Sequence, residues 1–405
     1  MKKILVFHHY NSSLGAGLSL LHILKSIDQD TYSLTLCLPK IEGDLAEKVE
    51  SMGIDVTYLD FIPPYMHFSG NHNKFFSLKH LNNIIDILKC KEDIEEKIKA
   101  INPDYIFVNS MTLFWIGKIA QNLNKKIVCF HRETYRRGLI GFRTKYIKKC
   151  LCSNFNAVVF LSYFDMHESF TGKSKYFRIT DKVDVKLYNQ LDKIQCRKKN
   201  NLPLNDRLIL YVGGLAKLKG PLIIVKAMKY LKNTDAKLVF LQYEPKNLQS
   251  TKEKIKYWIK VFLRKNTIYD LNKFIKKNNL SNRVIFRPST DHVEEYFISC
   301  DLVVFPAIDV HQARPALEAG ISKKPFIITD FPNTKEFIDE TNGWLFKKGN
   351  YKDLALKIDD ILTGNVKYKV KNNYDRVYNN NNLDNMADEL NELLNYLEKG
   401  DEFIE

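Results

Sequence analysis

The stretch of this sequence richest in possible chemistry is Asp309-Val310-His311-Gln312-Ala313-Arg314-Pro315-Ala316-Leu317-Glu318-Ala319-Gly320. Pro315 suits the first turn of a helix. The N–H groups of the turn before it, at Gln312 and Ala313, can face a phosphate, and Arg314 adds a fork of donors. Glu318 falls about one turn into the helix, where a carboxylate can accept hydrogen bonds from two adjacent ribose hydroxyls. Packing does not call for a carboxylate amid Ala-Leu-Glu-Ala-Gly. The plainer alternative is a carboxylate placed to suit the helix dipole.

Three other stretches could act with it. Gly15-Ala16-Gly17 follows an apolar run and opens a helical pattern, so its backbone can approach a phosphate closely. It is shorter than the dinucleotide fingerprint and lacks the acidic ribose ligand at the usual spacing, which gives NAD little support. Gly213 to Gly220 repeats the arrangement, with Lys219 able to reach a diphosphate as a point charge. His131-Arg132-Glu133-Thr134 ends another apolar run, a place for acid–base work or substrate contact by His131 and Glu133. The bland alternatives are an ordinary strand-to-helix turn, a solvated lysine, a His131 that caps a helix, and a Glu133 paired with Arg136 or Arg137.

Two basic stretches are interleaved with aromatic residues. One runs from Arg132 to Lys149 and includes Arg136, Arg137, Lys148 and Lys149; the other runs from Lys252 to Lys277. This pattern suits an anionic membrane surface, and it also suits RNA. Buried aromatic residues of an ordinary core are a further reading. The net charge is +15, and the basic excess lies between residues 101 and 300 while both ends are slightly acidic.

The elements that must position these residues alternate. Apolar, β-rich runs at 4–9, 33–38, 55–59, 104–109, 126–130 and 157–161 are separated by helical patterns. After a polar stretch at 193–205 the alternation restarts with runs at 208–212, 237–241, 283–286, 302–306 and 326–329. Such runs suit parallel strands buried on both faces, so the sequence predicts an α/β chain with two doubly wound, Rossmann-like domains. The 405 residues, 45% hydrophobic and 27% charged, agree with two soluble domains. A basic helical region is expected at 251–278, a polar loop at 379–382, and a last amphipathic helix at about 383–397. In that helix Met386, Leu390, Leu393, Leu394 and Leu397 share one side. Only four apolar residues follow the opening lysines, too few for a signal peptide, and no run reaches the ~18 needed to span a bilayer. The seven cysteines are scattered, without zinc spacing or a disulfide framework.

Taken in order, these motifs resemble the retaining glycosyltransferases of family 4, which have the GT-B fold. The matching features are Gly15-Ala16-Gly17, His131 at a strand end, Tyr188-Asn189-Gln190-Leu191-Asp192 as the interdomain segment, the turn Gly213–Gly220, the strand from Asp301 to Pro306, and Glu318. The chain departs from the family pattern at Gly214, where an arginine is usual, at Val310, where the first glutamate of a pair is usual, and at Gln190, where a glycine is usual. The resemblance implies two domains facing across a cleft. The acceptor-binding one is 1–192 with a C-terminal helix at about 383–405, and the nucleotide-sugar-binding one is 193–382. It implies that the donor's diphosphate lies against Gly15, Ala16, Gly17, Gly213, Lys219, Gln312, Ala313 and Arg314, and that Glu318 holds the ribose. His131 would touch sugar or acceptor, and Glu133 the acceptor side. It implies transfer to a lipid-linked saccharide in bacterial surface polysaccharide assembly, in the cytoplasm and peripheral to the inner face of the membrane. Arg136, Arg137, Lys148 and Lys149 would form the membrane surface. No metal, cofactor or nucleic acid is expected. The departures keep open a non-catalytic nucleotide-sugar-binding scaffold and a nucleotide-sugar epimerase of the same fold.

Overall fold

The computed structural model describes residues 1–69, 71–136, 141–169, 174–243, 267–310, 314–364 and 366–399. Within them the chain forms two compact units. One runs from Met1 to Lys182 and resumes at Leu383; the other runs from Val183 to Asn382. The first unit therefore ends at Lys182, ahead of the expected Asp192. The reason is local: the Val183 N–H donates to the Asn381 carbonyl at 2.8 Å, and Val183, Val185 and Tyr188 are buried in a core of the second unit.

The first unit is built on seven parallel strands. They are β1 (Lys2–Phe7), β2 (Tyr32–Pro39), β3 (Asp55–Leu59), β6 (Tyr105–Val108), β7 (Lys126–His131), β8 (Ala157–Phe160) and β9 (Lys175–Arg178), in the order β3-β2-β1-β6-β7-β8-β9. A two-stranded antiparallel hairpin, β4 (His67–Phe68) with β5 (Asn71–His72), stands apart from it. Alternate residues of β1 serve opposite faces. Ile4 and Val6 join a core with helices α1 (Ala16–Ser26) and α2 (Leu45–Glu50). Leu5 and Phe7 join another with α3 (Leu78–Ile101), α4 (Ile116–Asn122) and α5 (Phe142–Asn154). Burial on both faces is why these strands read as unbroken apolar runs.

The last helix, Met386–Lys399, completes the α1 side. Its residues Met386, Leu390, Leu393, Leu394 and Leu397 are all buried there. Burying each is worth roughly 1.5–3 kcal/mol relative to exposure. Lys182, fully buried, meets Glu389 of this helix at 2.6 Å.

The second unit has six parallel strands: β10 (Leu208–Tyr211), β11 (Lys237–Phe240), β12 (Val284–Phe286), β13 (Leu302–Phe305), β14 (Phe326–Thr329) and β15 (Trp344–Phe346). Their order is β12-β11-β10-β13-β14-β15. Both units are thus Rossmann-like and doubly wound, as the alternation predicts.

Three segments differ from the sequence reading. The polar stretch opens with a helix, Lys193–Lys199, whose N-terminus is capped by the Asp192 carboxylate accepting from the Gln195 N–H. The asparagine run is no loop, because Asn379–Asn381 finish the helix Lys367–Asn381. Tertiary packing overrides their weak helix propensity: Asn373 and Val377 are buried, lying so near Gly320 that a Cβ there would meet them at 3.0 and 2.7 Å. Of the basic helical region at 251–278, a helix is seen at Thr267–Lys277, and residues 251–266 lie outside the described residues. No described helix is long and apolar enough to cross a membrane.

Candidate functional site

In doubly wound sheets, ligands bind beyond the carboxyl ends of the strands, where the strand order reverses. In the second unit this switch lies between β10 and β13. The turn Gly213–Gly220 follows β10, and residues 306–310 follow β13. The two segments touch, since the Ile308 N–H donates to the Leu218 carbonyl at 2.8 Å. A Cβ on Gly220, whose φ is +73°, would sit 1.8 Å from the Pro306 carbonyl oxygen, so only glycine fits. The buried Tyr211 hydroxyl spans the turn, 3.1 Å from the Gly214 carbonyl and 3.2 Å from the Lys219 carbonyl.

That geometry brings Lys219 into the electrostatic reach of Glu318. Burial lowers the Lys219 ammonium pKa, and the Glu318 carboxylate acts in the opposite direction. Glu318 itself is buried in the helix Arg314–Ile321, and the Arg314 Nε donates to its Oε1 at 3.3 Å. The Tyr188 phenol, buried within the same field, is pushed well up, by burial first and by Glu318 second. Lys219, Arg314 and Glu318 are thus charges within electrostatic reach of one another at the switch point, with the neutral Tyr188 phenol in the same field. Gln312 and Ala313, with His311, lie outside the described residues.

Two of the three departures from the family pattern have structural correlates. Gly214 has φ +57°, and a Cβ there would stand 3.1 Å from the Gln242 carbonyl oxygen, so an arginine would be strained in this turn. Val310 is half-buried and packs against the apolar core of this unit.

In the first unit the switch lies between β1 and β6. Gly15 precedes α1, while Ala16 and Gly17 form its first turn. A buried polar network holds this turn. The Asn109 side chain, just after β6, donates to the Ala16 carbonyl at 3.0 Å and accepts from the Arg132 Nε at 3.0 Å. Arg132, just after β7, also lies 3.6 Å from the Asp181 carboxylate, which accepts from the Ser19 hydroxyl of α1. Arg132 thus reaches α1 from two sides. Sequence reasoning missed Ser19, Asn109, Asp181 and Tyr211. Asn109 had a usable signal, since it immediately follows a strand, as His131 ends one.

His131 does not cap a helix. Its ring lies between Tyr135 and Phe160, with centroids at 4.6 and 4.8 Å, and among the described residues no other side chain hydrogen-bonds its ring nitrogens. Burial pushes its pKa down to about 3, so the imidazole stays neutral near pH 7. Among the described residues Glu133 forms no ion pair with Arg136, and Arg137 lies outside them. Its oxygens accept from the Ser110 hydroxyl at 2.5 Å and the Met111 N–H at 3.0 Å, tying β7 to the turn after β6. Burial raises its pKa, and these hydrogen bonds oppose the rise.

The expected membrane residues separate. Lys149 is exposed and Arg136 half-buried. Lys148 turns inward, 4.7 Å over the Tyr135 ring and bonded to the Glu168 carbonyl. Arg137 lies outside the described residues. Among the described residues one group has metal-type side chains, His292, Glu294 and Glu295. Glu295 there is already neutralised by Lys199 at 2.5 Å.

Comparison with known proteins points the same way. Residues 192–382 match the family model described as glycosyl transferases group 1. An uncharacterized glycosyltransferase of Methanocaldococcus jannaschii is 27% identical over 205 residues, 49% of this chain and 47% of that protein. The match thus spans about half the length of that relative. Among solved structures, HepE of Anabaena in complex with UDP and glucose is similar with a TM-score of 0.72 and 18% identity, covering 98% of this chain and 100% of that one. Sucrose-phosphate synthase from Thermosynechococcus elongatus is similar with a TM-score of 0.73 and 16% identity, covering 98% and 100%. The shared architecture is the GT-B fold, and the match to the glycosyl transferases group 1 model falls on the second unit.

Proposed function

We propose that this chain, built around a glycosyl transferases group 1 domain, moves a sugar from a nucleotide-diphosphate sugar to a lipid-linked saccharide during assembly of a bacterial surface polysaccharide. The observation that carries the reading is Glu318, bonded to Arg314 and within electrostatic reach of Lys219, at the switch point of the second sheet. Glu318 accepts from the ribose hydroxyls. Lys219 and Arg314, with the N–H groups before Pro315, neutralise the diphosphate without a metal. Transfer proceeds with retention: the bond from the sugar's anomeric carbon to the diphosphate breaks, and the acceptor oxygen bonds to that carbon on the same face. The acceptor proton passes to the departing phosphate. His131, buried and neutral, contacts sugar or acceptor from the first unit. Glu133, engaged with Ser110 and Met111, holds the acceptor side in shape. The chain works from the cytoplasmic face of the inner membrane without crossing it.

Val310, where the resemblance places a carboxylate, favours a second reading, a nucleotide-sugar binder that does not transfer. Thermal shift against UDP, GDP, ADP and CMP, with and without magnesium, tests the donor site. Saturation at 100 times Kd stabilises by about 2.7 kcal/mol. A metal-independent shift with one diphosphate, lost in Glu318→Ala, is expected. No shift with any nucleotide would overturn the donor site. A shift without sugar transfer to a lipid-linked acceptor would leave the binder.

A further inference from the structure

Helix α3 is apolar on two faces, and the fold covers only one. His80, Ile87, Cys90, Ile94 and Ile98 are buried. At 100° per residue, Leu78, Leu81, Ile85 and Leu88 fall within one narrow arc on the opposite side, and all four are exposed, Leu78 to 78% and Leu88 to 55%. The chain leading into the helix adds Phe75 and Phe76, the latter 97% exposed. A soluble surface has little reason to present so continuous a stripe unless something covers it.

This stripe is joined to the start of α5. Rings contact in series from Phe76 to Phe75 (4.9 Å), His80 (5.6 Å), Tyr65 (5.7 Å), Phe114 (5.3 Å) and Tyr146 (5.8 Å). Tyr146 and Phe142, both on α5, are exposed in turn. Arg143 fastens the junction, donating to the Tyr65 hydroxyl and to the Asn73 and Met66 carbonyls.

The charge around the start of the stripe is basic. Helix α5 holds Arg143, Lys145, Lys148 and Lys149 and no acidic residue. Lys74 and Lys79 lie at the start of the exposed arc, while beyond Leu88 the helix carries as many acidic as basic residues, with Glu92 and Glu96 on the side of the stripe. Arg143 is buried, and no carboxylate forms an ion pair with it among the described residues. The field is felt locally. His67, His72 and His80 are all pushed down, by burial first, then by Arg143 at His67 and His80 and by Arg136 ahead of Arg143 at His72. A protein partner would have to bring a large acidic surface to meet this rim. A bilayer of anionic phospholipid supplies headgroup phosphates and an apolar interior in one object.

We infer that the exposed face of α3, the Phe75–Phe76 turn and the first turns of α5 form a docking surface for an anionic phospholipid bilayer. Phe75, Phe76 and the leucine stripe enter the acyl boundary, and Lys74, Lys79, Lys145 and Lys149 meet the phosphates. The inference rests on the membrane location in the proposed function and relocates its surface, since Lys148 of the expected set is turned inward.

The full chain is tested by co-sedimentation with phosphatidylcholine vesicles, with and without phosphatidylglycerol. The wild type is expected to pellet with the phosphatidylglycerol vesicles, less so as salt rises. Phe75→Ser with Phe76→Ser is expected to weaken binding about tenfold or more. Lys79→Gln, Lys145→Gln and Lys149→Gln together are expected to weaken it further, about fivefold per lysine. All these residues are exposed, so the variants fold, and an unchanged nucleotide-diphosphate thermal shift confirms it. Equal pelleting of the phenylalanine variant, or equal binding to neutral vesicles, overturns the inference. So does a wild-type dimer that the phenylalanine variant converts to monomer, since a second copy would then cover the stripe. A chain that binds a nucleotide diphosphate but no vesicle loses this surface and keeps the donor site. A chain that binds vesicles but no nucleotide does the reverse.

Discussion

The two glycine turns at the two switch points do similar work by different means. The turn before α1 is held by charge: Arg132 grips Asn109 and Asp181, which in turn grip Ala16 and Ser19. The turn after β10 is held by shape: a tyrosine hydroxyl spans its carbonyls, and Gly220 lies against the Pro306 carbonyl with no room for a side chain. A turn locked by shape is insensitive to pH and salt but intolerant of one added methyl group. A turn locked by buried charge tolerates shape change but fails when a partner is removed or a nearby group is protonated. The two units should therefore break under different insults.

The largest effect should come from Gly220→Ala. The new methyl group would overlap the Pro306 oxygen at 1.8 Å, and φ +73° is costly for any L side chain. A loss of about 4 kcal/mol is expected, lowering the melting temperature by roughly 10 °C. The nucleotide-diphosphate shift should vanish with it. If Gly220→Ala melts like the wild type, the shape argument for the second turn is wrong.

Arg132→Met comes next. It leaves Asp181 largely buried without its cation and Asn109 without its donor, for a loss of about 3 kcal/mol. Arg132→Lys sharpens the test. A lysine keeps the charge but cannot offer the fixed fork that reaches both partners, so it should restore less than half of the loss. Full rescue by lysine would reduce the network to a simple ion pair.

Acid should then separate the units. Burial holds His131 down at about pH 3, while the unfolded chain takes up a proton there near pH 6.5. Between those values the unfolded state binds more protons, so stability is complete above about pH 6.5 and falls as pH drops, by about 1.4 kcal/mol per pH unit for this one group. His9, held down at about 4 by burial, adds to the same slope. Among the described residues of the second unit the histidine is His292, which is exposed. Urea titrations between pH 7 and 5 should show His131→Phe with a flatter profile than the wild type. Parallel profiles would mean that His131 is protonated in the folded chain.

The alternation of apolar runs made both sheets legible in the sequence, because buried parallel strands leave little else to read. β3 and β14 fall on the expected residues. β9 and β15 did not stand out. Lys175–Arg178 alternates charged and aromatic residues at a sheet edge, and Trp344–Phe346 is three residues long. The helix Lys367–Asn381 was hidden by its asparagines, since its stability comes from Asn373 and Val377 docking near Gly320, not from propensity. At the candidate site, the places of Lys219 and Glu318 after β10 and β13 were legible because both follow apolar runs that read as strands. Asp181 and Ser19 were not, since they are 162 positions apart in sequence and only the fold brings them together. Lys148 misled for a related reason: sequence shows the charge but not which way the side chain turns.

The smallest effect separates holding a turn from holding a unit. The Tyr211 ring is buried against Phe240 at 4.7 Å and lies close against Gly213, while its hydroxyl reaches the Gly214 and Lys219 carbonyls. Tyr211→Phe keeps the ring and its packing and deletes the one group that spans the Gly214 and Lys219 carbonyls. The cost in stability should be about 1 kcal/mol, the net worth of a buried hydrogen bond. The donor site should suffer more than the fold, because the turn that presents Lys219 loses its brace while the sheet beneath is untouched. Weaker nucleotide-diphosphate affinity with a nearly unchanged melting temperature is the expected pair of results. If melting temperature falls and affinity holds, the hydroxyl serves the core, and the turn is kept in place by the contact of Gly220 with Pro306 alone.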